Sequence, residues 1–120
     1  MVTSPSIRRG DVWLINLDPT IGAEIQKTRP AIVITSDAVG VLPIKLVAPI
    51  TAWKDHLAGN YWHVPLAPDN ANGLQKLSAV DVLQVRGVDT VRFVRRLGQV
   101  SPADMQSVVA ALTLVVEYEG

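Results

Sequence analysis

The 120-residue chain contains no cysteine, which excludes disulfides and thiolate metal sites and fits a reducing compartment. It also lacks an excess of charge of either sign: Lys plus Arg and Asp plus Glu both number 11. Bulk electrostatics therefore gives no reason to expect nonspecific nucleic-acid binding, and any such binding has to come from a local patch. The opening residues MVTSPSIRR lack the apolar centre of a signal peptide, and no apolar run approaches the ~20 residues of a spanning helix. A cytoplasmic protein without a membrane partner is expected. Catalytic signatures are scarce as well. There is no Walker loop, G-x-G-x-x-G, G-x-S-x-G or HExxH, so nucleotide-cofactor, hydrolase-elbow and zincin chemistries have nothing to rest on. His56 and His63 lie seven residues apart across a turn with no carboxylate motif joining them. They read as surface or half-buried histidines, and neither a metal nor a cofactor is expected.

What remains describes one domain over residues 1–120, with a flexible tail at 1–8. A chain of this length buries roughly two thirds of its unfolded surface and keeps a core without staples. Val12 to Leu17 and Ala31 to Thr35 are apolar and β-branched enough for strands. Asp18-Pro19 ends the first, because proline cannot donate to a ladder and holds its predecessor extended. Ile44 to Ile50 reads as a third strand with Pro43 and Pro49 at its ends, followed by an exposed connection from Ala52 to His56. Tyr61 to Leu66 alternates, and its Pro65 marks an edge or a bulge. Pro68 to Gly73 is a loop. Leu77 to Val85 reads as one strand, although Ser78 and Gln84 share a parity that Asp81 does not. Thr90 to Leu97 fits a strand or a short helical turn. Ser101 as N-cap, Pro102 in the first turn and Asp104 near the positive end start a helix. Met105, Val108, Val109, Leu112, Val115 and Val116 give that helix one apolar stripe. The predicted fold is mainly β, closed by a C-terminal helix. The positive mean hydropathy of so small a chain points to apolar surface covered by a partner subunit.

The polar residues that stand out are Glu24, Lys27 and Arg29, in the loop before the second strand, and Thr51 at the end of the third. Spacing alone fits a solvated, salt-bridging loop as well as a functional site. A functional loop of this composition would favour an anion, since Arg29 offers a planar fork suited to phosphate and Thr51 a short hydroxyl donor. With no metal ligands, phosphate chemistry here would be metal-free.

Several stretches together resemble a known family. Gly10-Asp11-Val12-Trp13, Asp18-Pro19-Thr20-Ile21-Gly22-Ala23-Glu24 and Thr28-Arg29-Pro30-Ala31-Ile32-Val33 resemble the N-terminal signature of the MazF/PemK (Kid) toxin endoribonucleases. Val47 to Thr51, the Gln84-x-Arg86-x-x-Asp89 pattern, and Arg96-Leu97-Gly98 before the helix are similar to the family's later motifs. The resemblance runs from about Arg9 to Val116. It implies a compact SH3-like antiparallel β-barrel with a C-terminal helix, assembled as a homodimer. The implied activity is metal-independent cleavage of single-stranded RNA, in which a ribose 2′-hydroxyl attacks phosphorus to leave a 2′,3′-cyclic phosphate and a 5′-hydroxyl. The implied partner is a MazE-like antitoxin with an acidic, disordered tail. Arg29 matches the family's catalytic arginine, Thr51 its catalytic hydroxyl residue, and Glu24 an acidic residue of the site whose role stays open between base, pin for Arg29 and base reader. Gln26, Lys27, Thr28, Lys54, Ser78 and Gln84 become RNA-contact candidates. Ile25-Gln26-Lys27-Thr28 is bulkier and more basic than the family's usual loop, so the resemblance does not carry over a cleavage motif. The alternative from another class is a CcdB-like toxin of the same fold that poisons DNA gyrase.

Overall fold

The computed structural model describes residues 6–120. The expected tail over 1–8 lies for the most part outside the described residues. Its end is not loose: Ile7 packs against the core, and the Arg8 amide donates to Asp11 Oδ2 at 3.0 Å.

Seven strands and one helix follow in the order β1 (Asp11–Asn16), β2 (Thr28–Val33), β3 (Ile44–Ala52), β4 (His63–Leu66), β5 (Ser78–Asp81), β6 (Arg86–Asp89), β7 (Phe93–Gln99) and α1 (Pro102–Val115). All strand pairs are antiparallel, in the order β4-β5-β3-β2-β1-β7, with β6 on the first half of β3. This is the mainly β architecture with a terminal helix that the patterning predicts. No helix among the described residues is long and apolar enough to cross a membrane.

The central strands read as unbroken apolar runs because both of their faces are covered. Val12, Ile32, Ala48 and Ile50 point into one cluster with β4, β5 and the α1 residues Met105, Val108 and Ala111. Trp13, Ile15, Leu17, Ala31, Val33, Val47 and Val88 fill a second cluster on the opposite face, against which Ile25 and Phe93 pack. The period-two alternation assigns each side chain to its cluster, so a one-residue slip would exchange the two cores.

Three boundaries differ from expectation, in β2, β3 and the Leu77–Val85 stretch. β2 begins at Thr28, placing Arg29 and Pro30 inside the strand: Pro30 pairs with Leu14 and Arg29 with Ile15. Pro49 lies within β3, at the last pair with β2 before the strand turns to β5 at Ile50. A residue without an N–H costs least where the ladder changes partner. The single strand expected from Leu77 to Val85 is broken into β5, a 3-10 turn at Val82–Gln84 and the start of β6. Asp81 causes the break, since its Oδ1 accepts the Leu83 amide at 3.1 Å and caps the turn. Thr90 to Leu97 contains both expected forms, a 3-10 turn at Thr90–Arg92 and then β7. In α1 the buried stripe is Met105, Val108 and Ala111, flanked by Val109 and Leu112, while Val116 is exposed at the C-cap. Ser101 Oγ accepts the Asp104 amide at 3.1 Å, as an N-cap should.

Candidate active site

Ala31 pairs with Pro49, Ile32 with Ala48 and Val33 with Val47. Carried two residues past the end of that ladder, the same register sets Arg29 across from Thr51. Parity places both on the face of the second cluster, just beyond its buried residues, because Arg29 continues the Ala31–Val33 alternation and Thr51 that of Val47 and Pro49. The rim of an apolar core thus carries a guanidinium on one strand and a hydroxyl on the next.

The loop from Leu17 to Lys27 closes over this face. Its base is fixed from several directions. The Leu17 amide donates to the Lys27 carbonyl at 3.0 Å, and Asp18 Oδ1 accepts the Lys27 amide at 3.0 Å. Arg86 Nη1 donates to the Leu17 carbonyl at 3.1 Å, and Arg92 Nη1 donates to the carbonyls of Asn16 and Asp18. Lys27 adopts φ 70°, a left-handed conformation that side chains rarely take. With its backbone occupied on both sides, its side chain is exposed beside Arg29.

Arg29 is exposed and donates through Nε to the Gln26 carbonyl over a long 3.4 Å. Among the described residues it is paired with no carboxylate. Its fork therefore remains available to an anion without first breaking an ion pair. Glu24 does not pin it. The Glu24 carboxylate accepts the Ile21 amide at 2.8 Å while the Glu24 amide donates to the Ile21 carbonyl at 3.2 Å, which closes a self-contained turn.

Beneath the loop lies a cavity of about 330 Å³ lined by Glu24, Ile25, Pro49, Gln84, Val85 and Arg86, with Leu83 at its side. Arg86 faces Val47 across the β3–β6 ladder, so it reaches the same face as Arg29 and Thr51. Its charge is the feature that the reading of individual sequence positions passed over, although it stands in the Gln84-x-Arg86-x-x-Asp89 pattern.

The remaining candidates separate. Gln26 and Thr28 are exposed on either side of Lys27. Lys54 is exposed three residues beyond Thr51, where β3 has ended. Ser78 is buried, and its hydroxyl donates to the Lys76 carbonyl at 2.9 Å. Gln84 is half-buried, with both ends of its amide bonded to the protein. His56 is exposed, whereas His63 is half-buried and lies 3.4 Å from Asp81 Oδ2. No group of three or more His, Cys, Asp or Glu able to hold a metal occurs among the described residues.

The same fold occurs in solved structures. MazF of Deinococcus radiodurans superposes with a TM-score of 0.75 at 24% identity, covering 93% of this chain and 96% of that one. The chain of a MazE-MazF structure from the same organism gives 0.72 at 21% identity, covering 98% and 100%. Sequence likeness is closer to two named enzymes. Endoribonuclease MazF9 of Mycobacterium tuberculosis is 32% identical over 114 residues, spanning 90% of this chain and 94% of its own length. Endoribonuclease PemK of Escherichia coli is 30% identical over 112 residues, spanning 92% and 82%. The model of the PemK-like, MazF-like toxins matches residues 8–116, and the chain therefore belongs to the PemK-like, MazF-like toxin family of type II toxin-antitoxin systems.

Proposed function

We propose that the protein is an endoribonuclease that cuts single-stranded RNA without a metal ion, and that the rim bearing Arg29 and Thr51 is its active site. The observation that carries this reading is the Arg29 guanidinium, which meets no carboxylate among the described residues and shares the rim of the second cluster with Thr51 beside a cavity lined by Glu24 and Arg86. The names of the curated relatives, both endoribonucleases, support it.

In the proposed reaction the 2′-oxygen attacks the adjacent phosphorus and the P–O5′ bond breaks. The proton lost from the 2′-hydroxyl is balanced by one gained by the departing 5′-oxygen. The products are a 2′,3′-cyclic phosphate and a 5′-hydroxyl. Arg29 stabilises the charge that builds on the non-bridging oxygens through paired hydrogen bonds. Thr51 orients the phosphate from the facing strand. Lys27, Gln26 and Thr28 above, with Lys54 beyond Thr51, line the way for the flanking nucleotides. The family and the likeness to the chain of a MazE-MazF structure support a second partner, an antitoxin whose acidic tail competes with RNA for these cations. A homodimer accounts for exposed Ile44, Leu46, Val91 and Val94.

Incubating the purified chain with single-stranded RNA in excess chelator tests the reading. Cleavage is expected, with a loss of at least ~100-fold in Arg29→Ala, the scale of removing one preorganised donor. Unchanged cleavage in that variant overturns it. Gyrase poisoning is not favoured, because the family and the curated relatives are of the PemK and MazF kind.

A further inference from the structure

A chain of polar contacts runs from the edge strand β4 to the loop over the site. The Asn60 side-chain amide lies 3.2 Å from His63 Nδ1. With Nδ1 accepting, the ring proton is on Nε2, which points at Asp81 Oδ2 at 3.4 Å. His63 and Asp81 are cross-strand partners in the β4–β5 ladder. Asp81 Oδ2 also accepts Gln84 Nε2 at 3.1 Å, and Gln84 Oε1 accepts the Ile25 amide at 2.6 Å. A further contact of 3.4 Å joins Gln84 Nε2 to the Ala23 carbonyl.

The chemistry of the two ends leaves Gln84 one orientation. A backbone N–H only donates, so the carbonyl oxygen of the side chain must face Ile25. A carboxylate only accepts, so the NH₂ must face Asp81. Asp81 is itself held by the Leu83 amide and by His63 and is 6% exposed. Gln84 therefore joins a fixed anchor in the sheet to the middle of a loop most of whose other residues are exposed.

We propose that Gln84 is a positioning residue, clamped by the His63–Asp81 pair, that fixes the Ala23–Ile25 segment of the loop over the Arg29–Thr51 rim. Its catalytic consequence rests on the RNA-cleaving reading above. The clamp acts at a distance from the phosphate: it sets the floor of the cavity between Glu24 and Arg86, where a flanking nucleotide would lie, and leaves Arg29 in place.

The donor and acceptor pattern gives a test with an internal rescue. Gln84→Leu keeps the volume and removes both bonds. Asp81→Asn leaves one acceptor oxygen, and with that oxygen kept on the Leu83 amide the new NH₂ faces Gln84, which must then turn its own carbonyl toward it and present NH₂ to the Ile25 N–H, donor against donor. Adding Gln84→Glu to Asp81→Asn restores the pattern, since one carboxylate oxygen accepts from Ile25 and the other from the new amide. Hydrogen exchange of the Ile25 amide, followed by NMR, is expected to quicken by about tenfold in Gln84→Leu and Asp81→Asn and to recover in the double variant. Cleavage of a short oligoribonucleotide should fall and recover in parallel, with the urea midpoint of Gln84→Leu close to that of the unmodified chain. Unchanged exchange in Gln84→Leu overturns the clamp, and faster exchange with undiminished cleavage overturns the positioning role. Absence of cleavage by the unmodified chain overturns the nuclease reading instead, and the exchange measurement still decides the clamp.

Discussion

The carboxylate of Glu24 accepts the amide of Ile21 at 2.8 Å, so the most conspicuous acid of the loop is engaged in closing the loop on itself. That bond needs an acceptor and not a charge. Glu24→Gln keeps the acceptor and is expected to stay within about threefold of the unmodified rate, whereas Glu24→Ala frees the turn and should cost about tenfold through looser placement of the loop. Initial rates on one oligoribonucleotide, measured side by side, check this. A general base would behave in the opposite way, with Glu24→Gln losing at least ~100-fold.

Arg29 and Thr51 call for a different pair of substitutions, because their proposed roles depend on geometry more than on charge. Arg29→Lys retains the positive charge and loses the planar fork, and should still cost about tenfold or more in kcat/KM. Thr51→Ser keeps the hydroxyl and should remain close to the unmodified rate, while Thr51→Val keeps the shape and should lose about tenfold. Identifying 5′-hydroxyl ends in the products of the unmodified chain would support the same chemistry.

Much of the architecture can be read from neighbours along the chain, because strands alternate and helices begin at caps. The α1 start at Ser101 and Pro102, the apolar runs of β1 and β3, and the Pro68–Gly73 loop are of this kind. Contacts far apart in sequence are not. Asp81 reads as one residue of a continuous strand, since its pairing with His63 depends on a β4–β5 register that no local pattern prints. The bond from the Ile25 amide to Gln84 is hidden for the same reason, since the two residues lie 59 positions apart. Arg29 stands out in the sequence as a fork suited to an anion, but its place inside β2 is hidden by Pro30, which reads as the end of a ladder and here sits opposite Leu14.

Asp11 is a buried acid that the fold satisfies three ways. Trp13 Nε1 donates to its Oδ2 at 3.2 Å, the Arg8 amide donates to the same oxygen at 3.0 Å, and Arg96 Nε lies 3.3 Å from Oδ1. Asp11→Ala strands the indole N–H and the Arg8 amide away from an acceptor and should lower stability by about 2–4 kcal/mol. Urea unfolding followed by tryptophan fluorescence reads the change. Arg96→Ala should cost less than about 1 kcal/mol, because its side chain is 46% exposed and the solvent screens its charge.

The Pro68–Gly73 loop docks on β7 through two glycines, and the closer approach is at Gly98. A Cβ there would stand 2.1 Å from the Ala71 carbonyl oxygen, which is already the acceptor for the Gln99 amide at 2.9 Å. Backbone meets backbone, so no flexible side chain can yield. Gly73 meets Leu97 from the other side with φ +71°, leaving the loop no room to back away. Gly98→Ala should therefore destabilise the fold by at least ~3 kcal/mol, several times the ordinary gain of a Gly→Ala exchange, which has the opposite sign. Because this contact is on β7 at a distance from the loop over Arg29, the two effects separate in one experiment: the variant's urea midpoint should drop sharply while cleavage per folded molecule stays near that of the unmodified chain. Equal loss of both would mean that the β7 contact reaches the active site.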